Sequence, residues 1–315
     1  GADESAVSRY HKTKRAADDD LPGRDLHWLI LRPSIVYGPG AASSALLRAL
    51  AALPVTPLIG RGDQPVQPIH IDDLVRSVLT ALGPDGPVRR RMDCVGPAPL
   101  TFRELLGAWR RWLGMGKMRT MRIPYRWALA AGRLGGFLGN VPMDAEAVAM
   151  LQRGNRAAVE PFVDAFGFRP RSFPAALDAM PATEADRWHA RLYLLRPLLR
   201  WTLGLMWLWA GITSAFLYPV EASFELLAAV SISGAAAPPA LYGAALLDGL
   251  VGAALLAGYR VRLAGALQIG AMAGYTALIT WALPAFWLHP FGPVAKNLPL
   301  AVATLIMMGL EARAK

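Results

Sequence analysis

Between residues 201 and 310 the chain carries only six charged side chains: Glu221, Glu225, Asp248, Arg260, Arg262 and Lys296. The other 205 residues hold 50 of the chain's 56 charges, about 24%, an ordinary density for a domain folded in water. No single solvent suits both compositions. The first two thirds read as a water-folded part and the last third as a membrane part. The apolar third balances three basic against three acidic groups, so the formal net charge of +10 lies wholly outside it.

A helix needs about 20 apolar residues to cross a hydrocarbon core of roughly 30 Å. Residues 201–220 supply one uncharged stretch, and 239–259 a second with Asp248 near its middle. Residues 263–283 form an uncharged third, and 294–310 a shorter fourth whose Lys296 lies close enough to the start to snorkel to the interface. The short apolar piece at 224–232 reads as interfacial or re-entrant. The expectation is an all-α four-helix transmembrane bundle. Arg187, Arg191, Arg196, Arg200, Arg260, Arg262, Arg313 and Lys315 then fall on one side of the bilayer, against Lys296 on the other. By the positive-inside rule, both ends and the water-folded part face the cytoplasm. Gly243, Gly249, Gly252, Gly258, Gly265, Gly270 and Gly274 are expected to let helices pack closely. Asp248 reads either as a packing residue that is protonated or hydrogen-bonded, or as a functional group.

One cysteine, Cys94, excludes an internal disulfide, and the five histidines show no metal-ligand spacing, so no metal is expected. Residues 103–133 carry eight basic side chains against Glu104 alone. This excess reads as compositional bias in an arginine-rich chain or as a face laid against anionic lipid. Nucleic acid is not expected as a partner, because no binding motif accompanies the charge.

In the water-folded part, residues 27–31 (HWLIL) form a continuous apolar run suited to a buried parallel strand. Pro33 must end it, and the Gly/Pro cluster in RPSIVYGPG at residues 32–40 opens a loop. Ligands in open α/β sheets lie beyond the carboxyl ends of strands, where this loop sits. Upstream, Tyr10 and Lys14 stand four apart, on one face if helical. A free phenol has a pKa of about 10, and a fixed ammonium beside it stabilises the phenolate for proton transfer near neutrality. The segment 68–82 (PIHIDDLVRSVLTAL) predicts a helix over 73–82 with Asp72 or Asp73 as its N-cap, and Thr101 is expected to open a helix over 100–113.

Taken in order, Gly1-Ala2-Asp3, Tyr10 with Lys14, LRPSIVYGPG at 31–40 and PIHIDDLVRSVLTAL at 68–82 resemble the extended short-chain dehydrogenase/reductase superfamily, the NAD(P)-dependent epimerase/dehydratase-like enzymes. The likeness runs from residue 1 to about 179, includes Arg122-Ile123-Pro124 and ends in FGFRPR at 166–171. AKNLPL at 295–300, with the four-span layout, resembles the DoxX-like family of small membrane proteins over about 197–312. The resemblance is to the atypical branch that fuses the two, and it divides the chain at 1–185 and 186–315.

The resemblance implies Tyr10 as catalytic acid/base and Lys14 as its activator and ribose-binding group. Pro33, Ser34 and Val36 would line the nicotinamide, largely through backbone. Tyr37 and Gln67 are weaker candidates for substrate contact. The cofactor implied is NAD or NADP. The partners implied are a small-molecule substrate, a lipid bilayer and a membrane redox partner. The location implied is the inner membrane of a bacterium. Two elements of the family pattern are missing from the sequence: a catalytic Ser well upstream of the Tyr, and a glycine-rich G-x-x-G-x-x-G turn about a hundred residues before it. The expectation is therefore an incomplete Rossmann-like doubly wound sheet, the carboxyl-terminal portion of a longer protein, inactive alone. Two alternatives stand beside an oxidoreductase: a non-catalytic dinucleotide-binding scaffold, and a membrane redox-accessory protein.

Overall fold

The computed structural model describes residues 9–138 and 145–311. It divides into two compact units, Gly1–Tyr193 and Leu194–Lys315. In chain order the first unit runs α1 (Arg9–Asp20), β1 (Leu29–Pro33), β2 (Val36–Tyr37), α2 (Ala42–Ala52), β3 (Thr56–Ile59), β4 (Pro65–Val66), β5 (Ile69–His70) and α3 (Ile71–Ala81). It continues through β6 (Arg90–Cys94), β7 (Leu100–Thr101), α4 (Phe102–Trp112), β8 (Thr120–Ile123), α5 (Tyr125–Leu138), α6 (Ala145–Arg153), α7 (Glu160–Phe166) and α8 (Phe173–Asp178). α9 (Glu184–Ile212) begins in this unit and continues into the next.

The first unit is α/β. β1 runs parallel to β6 with Leu29 opposite Arg90 and Pro33 opposite Cys94. β2 is parallel to β5 and β3 to β8, while β4 and β7 are antiparallel. Parallel neighbours need crossovers, and helices supply them. β1 does end at Pro33, where the ring denies the ladder a donor. Its parallel neighbour is β6, and among the described residues it pairs with no other strand. One core gathers Ile69, Met92, Cys94, Phe162, Phe166 and Phe168, with Leu29 and Leu31 packed against it. The acidic end of α1 is tied to this sheet. Arg32 of β1 meets Asp18 at 2.8 Å, and Arg91 of β6 meets Asp19 at 2.7 Å.

α4 opens as its sequence requires. Thr101 Oγ1 accepts from the Glu104 amide at 3.1 Å, and the Thr101 amide donates to the Glu104 carboxylate at 2.8 Å. That amide, and then the Thr101 hydroxyl, hold the Glu104 carboxyl below its ordinary range. Thr101→Ala is expected to cost about 1 kcal/mol of unfolding free energy, read as a lowered denaturant midpoint. α3 departs from expectation. It starts at Ile71, and its cap is His70, whose Nδ1 accepts from the Asp72 amide at 3.2 Å. Asp72 and Asp73 fall inside the first turn, favoured there by the helix dipole.

The second unit holds the rest of α9, then α10 (Val220–Ala229), α11 (Ala237–Ala257), α12 (Val261–Ala282) and α13 (Asn297–Leu310). Two helical stretches, Gly234–Ala257 and Val261–Ala282, are long and apolar enough to cross a membrane. The first expected span is bent instead. α9, extended by a π-helical turn over Thr213–Leu217, breaks at Tyr218-Pro219, and α10 leaves at 108°. A proline there cannot donate to the turn before it, so the helix stops. The pair forms a broken span or a re-entrant loop. The expected fourth span begins late, after a turn at residues 293–296, and α13, with 14 residues, rises only about 21 Å.

Two helices of this unit meet backbone to backbone. A Cβ on Gly252 of α11 would lie 2.5 Å from the Leu208 amide nitrogen and 2.7 Å from the Gly204 carbonyl oxygen of α9. Gly265 similarly receives Met308. The expectation of close packing does not extend to Gly243, Gly270 and Gly274, where an added Cβ meets nothing within 4 Å, whereas the Gly249 backbone is approached by Gly211, whose added Cβ would lie 2.9 Å from the Gly249 nitrogen. Gly258 ends α11 in the left-handed region at φ +68°. Gly252→Val is therefore expected to cost about 1–3 kcal/mol by forcing α9 from α11, with Gly270→Ala near neutral in the same thermal unfolding series. The unit's core is Leu203, Trp207, Val251, Leu255, Met272 and Met307 with their neighbours. Within it Thr304 donates to the fully buried Gln268 at 3.4 Å. Asp248 is partly buried, and its Oδ1 meets no partner among the described residues. At the end of α13, Glu311 binds Arg196 at 2.6 Å and Arg200 at 3.6 Å, while its carbonyl accepts from Arg262 at 2.9 Å.

Candidate functional site

α1 carries both Tyr10 and Lys14, one turn apart along its backbone. The Tyr10 side chain lies outside the described residues; Lys14 is exposed. The salt bridges from Asp18 and Asp19 fix the far end of this helix beside β1 and β6.

The loop after β1 is held from beneath. The Ser34 amide donates to the Cys94 carbonyl at 3.0 Å, and the Ser34 hydroxyl donates to the Gln67 carbonyl. Gln67 is the hub: its Nε2 donates to the Gly96 carbonyl at 2.7 Å, and its Oε1 accepts from the Ala157 amide at 3.1 Å. Ser34 thus contributes backbone and no free hydroxyl. Pro33 remains exposed and Val36 half-buried, so these two offer the apolar surface at the carboxyl end of β1. Cys94 beneath them is inert, because burial pushes its thiol up to about 12.

Tyr37 and Gln67, weak candidates for substrate contact on sequence, are 1% and 2% exposed. Neither reaches a substrate. Tyr37 sits edge-on to His70 at 5.1 Å and to Phe173 at 4.7 Å. Burial, helped by the charge of Asp73, raises its phenol above the ordinary range, which keeps it neutral. Burial likewise lowers His70, against the pull of Asp72, and its Nδ1 is already an acceptor. The proton of a neutral His70 is therefore on Nε2, which is buried without a partner among the described residues, as is Tyr37 Oη. This aromatic box supports the loop.

Asp73, 4% exposed, accepts from Arg171 through its backbone amide at 2.9 Å and through Nε and Nη2 at 3.1 and 2.9 Å. The pairing joins α3 to the segment before α8, 98 positions later. Sequence reasoning singled out both HIDD and FRPR without joining them, because nothing local marks the partner of an inward carboxylate.

Of the residues the family pattern assigns to the cofactor, Lys14 and Pro33 are exposed, Val36 is half-buried and Ser34 is buried. The Gly38-Pro39-Gly40 turn, which leads from β2 into α2, is no pyrophosphate cradle on its Gly38 side. A Cβ there would meet Ile71 Cγ2 at 2.5 Å and His70 Nε2 at 3.5 Å, so protein already fills that space. Among the described residues no group of three His, Cys, Asp or Glu is placed to hold a metal.

Residues 204–305 match the model of the DoxX-like family. The chain is 30% identical over 134 residues to a ceramide reductase of Caulobacter vibrioides, a stretch that covers 42% of each protein. It therefore spans less than half the length of this curated relative. Among solved structures, a dTDP-glucose 4,6-dehydratase of Bacillus anthracis in complex with NAD is similar at a TM-score of 0.41 and 20% identity, over 56% of this chain and 51% of that one. A human epimerase family protein with NADPH is similar at 0.41 and 23%, over 55% and 54%.

Proposed function

We propose that this chain serves a membrane-held NAD(P)-dependent oxidoreductase of the short-chain type, acting on the carbonyl or hydroxyl of a small or lipid substrate. The observation that carries the reading is one helix, α1, holding Tyr10 and Lys14 one turn apart and tied by the Asp18–Arg32 ion pair to the parallel strand β1, which ends at Pro33 with Val36 just beyond it. The similarity to a ceramide reductase supports it and favours a lipid carbonyl. The DoxX-like match and the two helices long and apolar enough to cross a bilayer support a membrane location.

In this reading Tyr10 passes a proton to the carbonyl oxygen as it becomes an alkoxide. The ammonium of Lys14 stabilises the resulting phenolate and donates to the ribose. Pro33 and Val36 would line the nicotinamide. The bound cofactor supplies the hydride. The test is oxidation of NADH or NADPH by the complete protein in proteoliposomes containing a long-chain keto-lipid. Substrate-dependent oxidation is expected; dinucleotide binding without turnover of any carbonyl lipid would favour a scaffold and overturn the proposal.

A further inference from the structure

We propose that the turn between α11 and α12 binds one anionic glycerophospholipid, its phosphate on Arg260 and an acyl chain in the groove below. The inference rests on the membrane location and is independent of the reductase reading.

Arg260 differs from the other described arginines of its unit. Arg196 and Arg200 share the carboxylate of Glu311, and Arg262 donates to the Glu311 carbonyl. Arg260 has no carboxylate partner among the described residues and makes only a cation–π contact with Tyr259, its guanidinium carbon 5.5 Å from the ring centroid. It also occupies the left-handed region at φ +42°, a conformation that costs a non-glycine residue energy.

Immediately beside it, a groove of about 270 Å³ runs between α11 and α12, lined by Leu250, Ala254, Leu263 and Leu267 together with Tyr259 and Arg260. The volume is smaller than that of a drug-sized pocket and fits a length of acyl chain. Both helices are long and apolar enough to cross the bilayer, so their connecting turn lies at a membrane face. A fixed, carboxylate-free cation above an apolar furrow at that depth is complementary to a phosphodiester above a hydrocarbon chain. A zwitterionic lipid of the same chains brings its own cation to the site and loses that advantage.

The test is native mass spectrometry of the full chain, released from micelles doped with dioleoyl phosphatidylglycerol or dioleoyl phosphatidylcholine. One retained lipid per chain is expected, with about a fivefold preference for phosphatidylglycerol, as a single cation at a membrane surface provides. Arg260→Asn, which tolerates positive φ, should abolish the preference. Arg262→Gln, which removes an equal charge nearby, should keep it. Ala254→Phe should displace both lipids from the groove. Inorganic phosphate and chain-free glycerophosphoglycerol should fail to compete. Equal retention of the two lipids overturns the proposal, and so does a preference that survives Arg260→Asn. Equal losses in both arginine variants would reveal a diffuse field rather than a site. Competition by inorganic phosphate or by the free headgroup would reveal an anion site with no role for the chain.

Discussion

Replacing Tyr10 with Phe is expected to lower the turnover of the complete protein by about 10²–10⁴-fold while leaving NAD(P) binding unchanged. The substitution removes one oxygen from α1 and keeps the ring, so the helix and its ion pairs with Arg32 and Arg91 persist. What disappears is the only proton the proposed chemistry draws from this helix. Lys14→Met should act differently, lowering turnover and weakening the cofactor together, because the ammonium is assigned to both phenolate and ribose. Single-turnover kinetics beside equilibrium cofactor titration separates the two variants. Unchanged turnover in Tyr10→Phe would sink the catalytic assignment.

The second large effect is structural. Asp73→Ala should destabilise the first unit by about 3 kcal/mol, since it removes the buried carboxylate that holds both the Arg171 guanidinium and the Arg171 amide. The Asp73 carboxylate is 5% exposed, whereas Arg171 is 43% exposed. The freed arginine can therefore find water, which keeps the loss at the lower end for a broken ion pair. Asp72→Ala is the contrast. Its side chain is 63% exposed and lies 3.6 Å from Arg171, and an exposed pair is worth about 0–1 kcal/mol. Hydrogen exchange should show the Asp73 variant loosening around α3 and α8.

Features carried by neighbouring residues were legible in the sequence. The charge-poor last third, the strand ending at Pro33 and the start of α4 at Thr101 all depend on solvent preference or on groups within three positions of one another. Features carried by distant partners were not. That His70 rather than an aspartate caps α3 follows from strand β5 running straight into the helix, which leaves the aspartates two and three positions too late. Arg171 could not be matched to Asp73, nor Gln67 recognised as the tie between Ser34, Gly96 and Ala157, because periodicity records which face a residue takes and never what it meets there. The bend after α9 was half legible. Pro219 announces a stop, but the 108° departure of α10 depends on what it packs against.

The carboxylate of Glu311 bears on how the chain is made. Arg196 waits 115 residues for that partner, and Arg200 shares it. During synthesis, two arginines at the head of the membrane unit therefore stay uncompensated until its last helix has left the ribosome. Removing the Glu311 side chain would leave Arg196 and Arg200, at the head of the membrane unit, without that shared carboxylate.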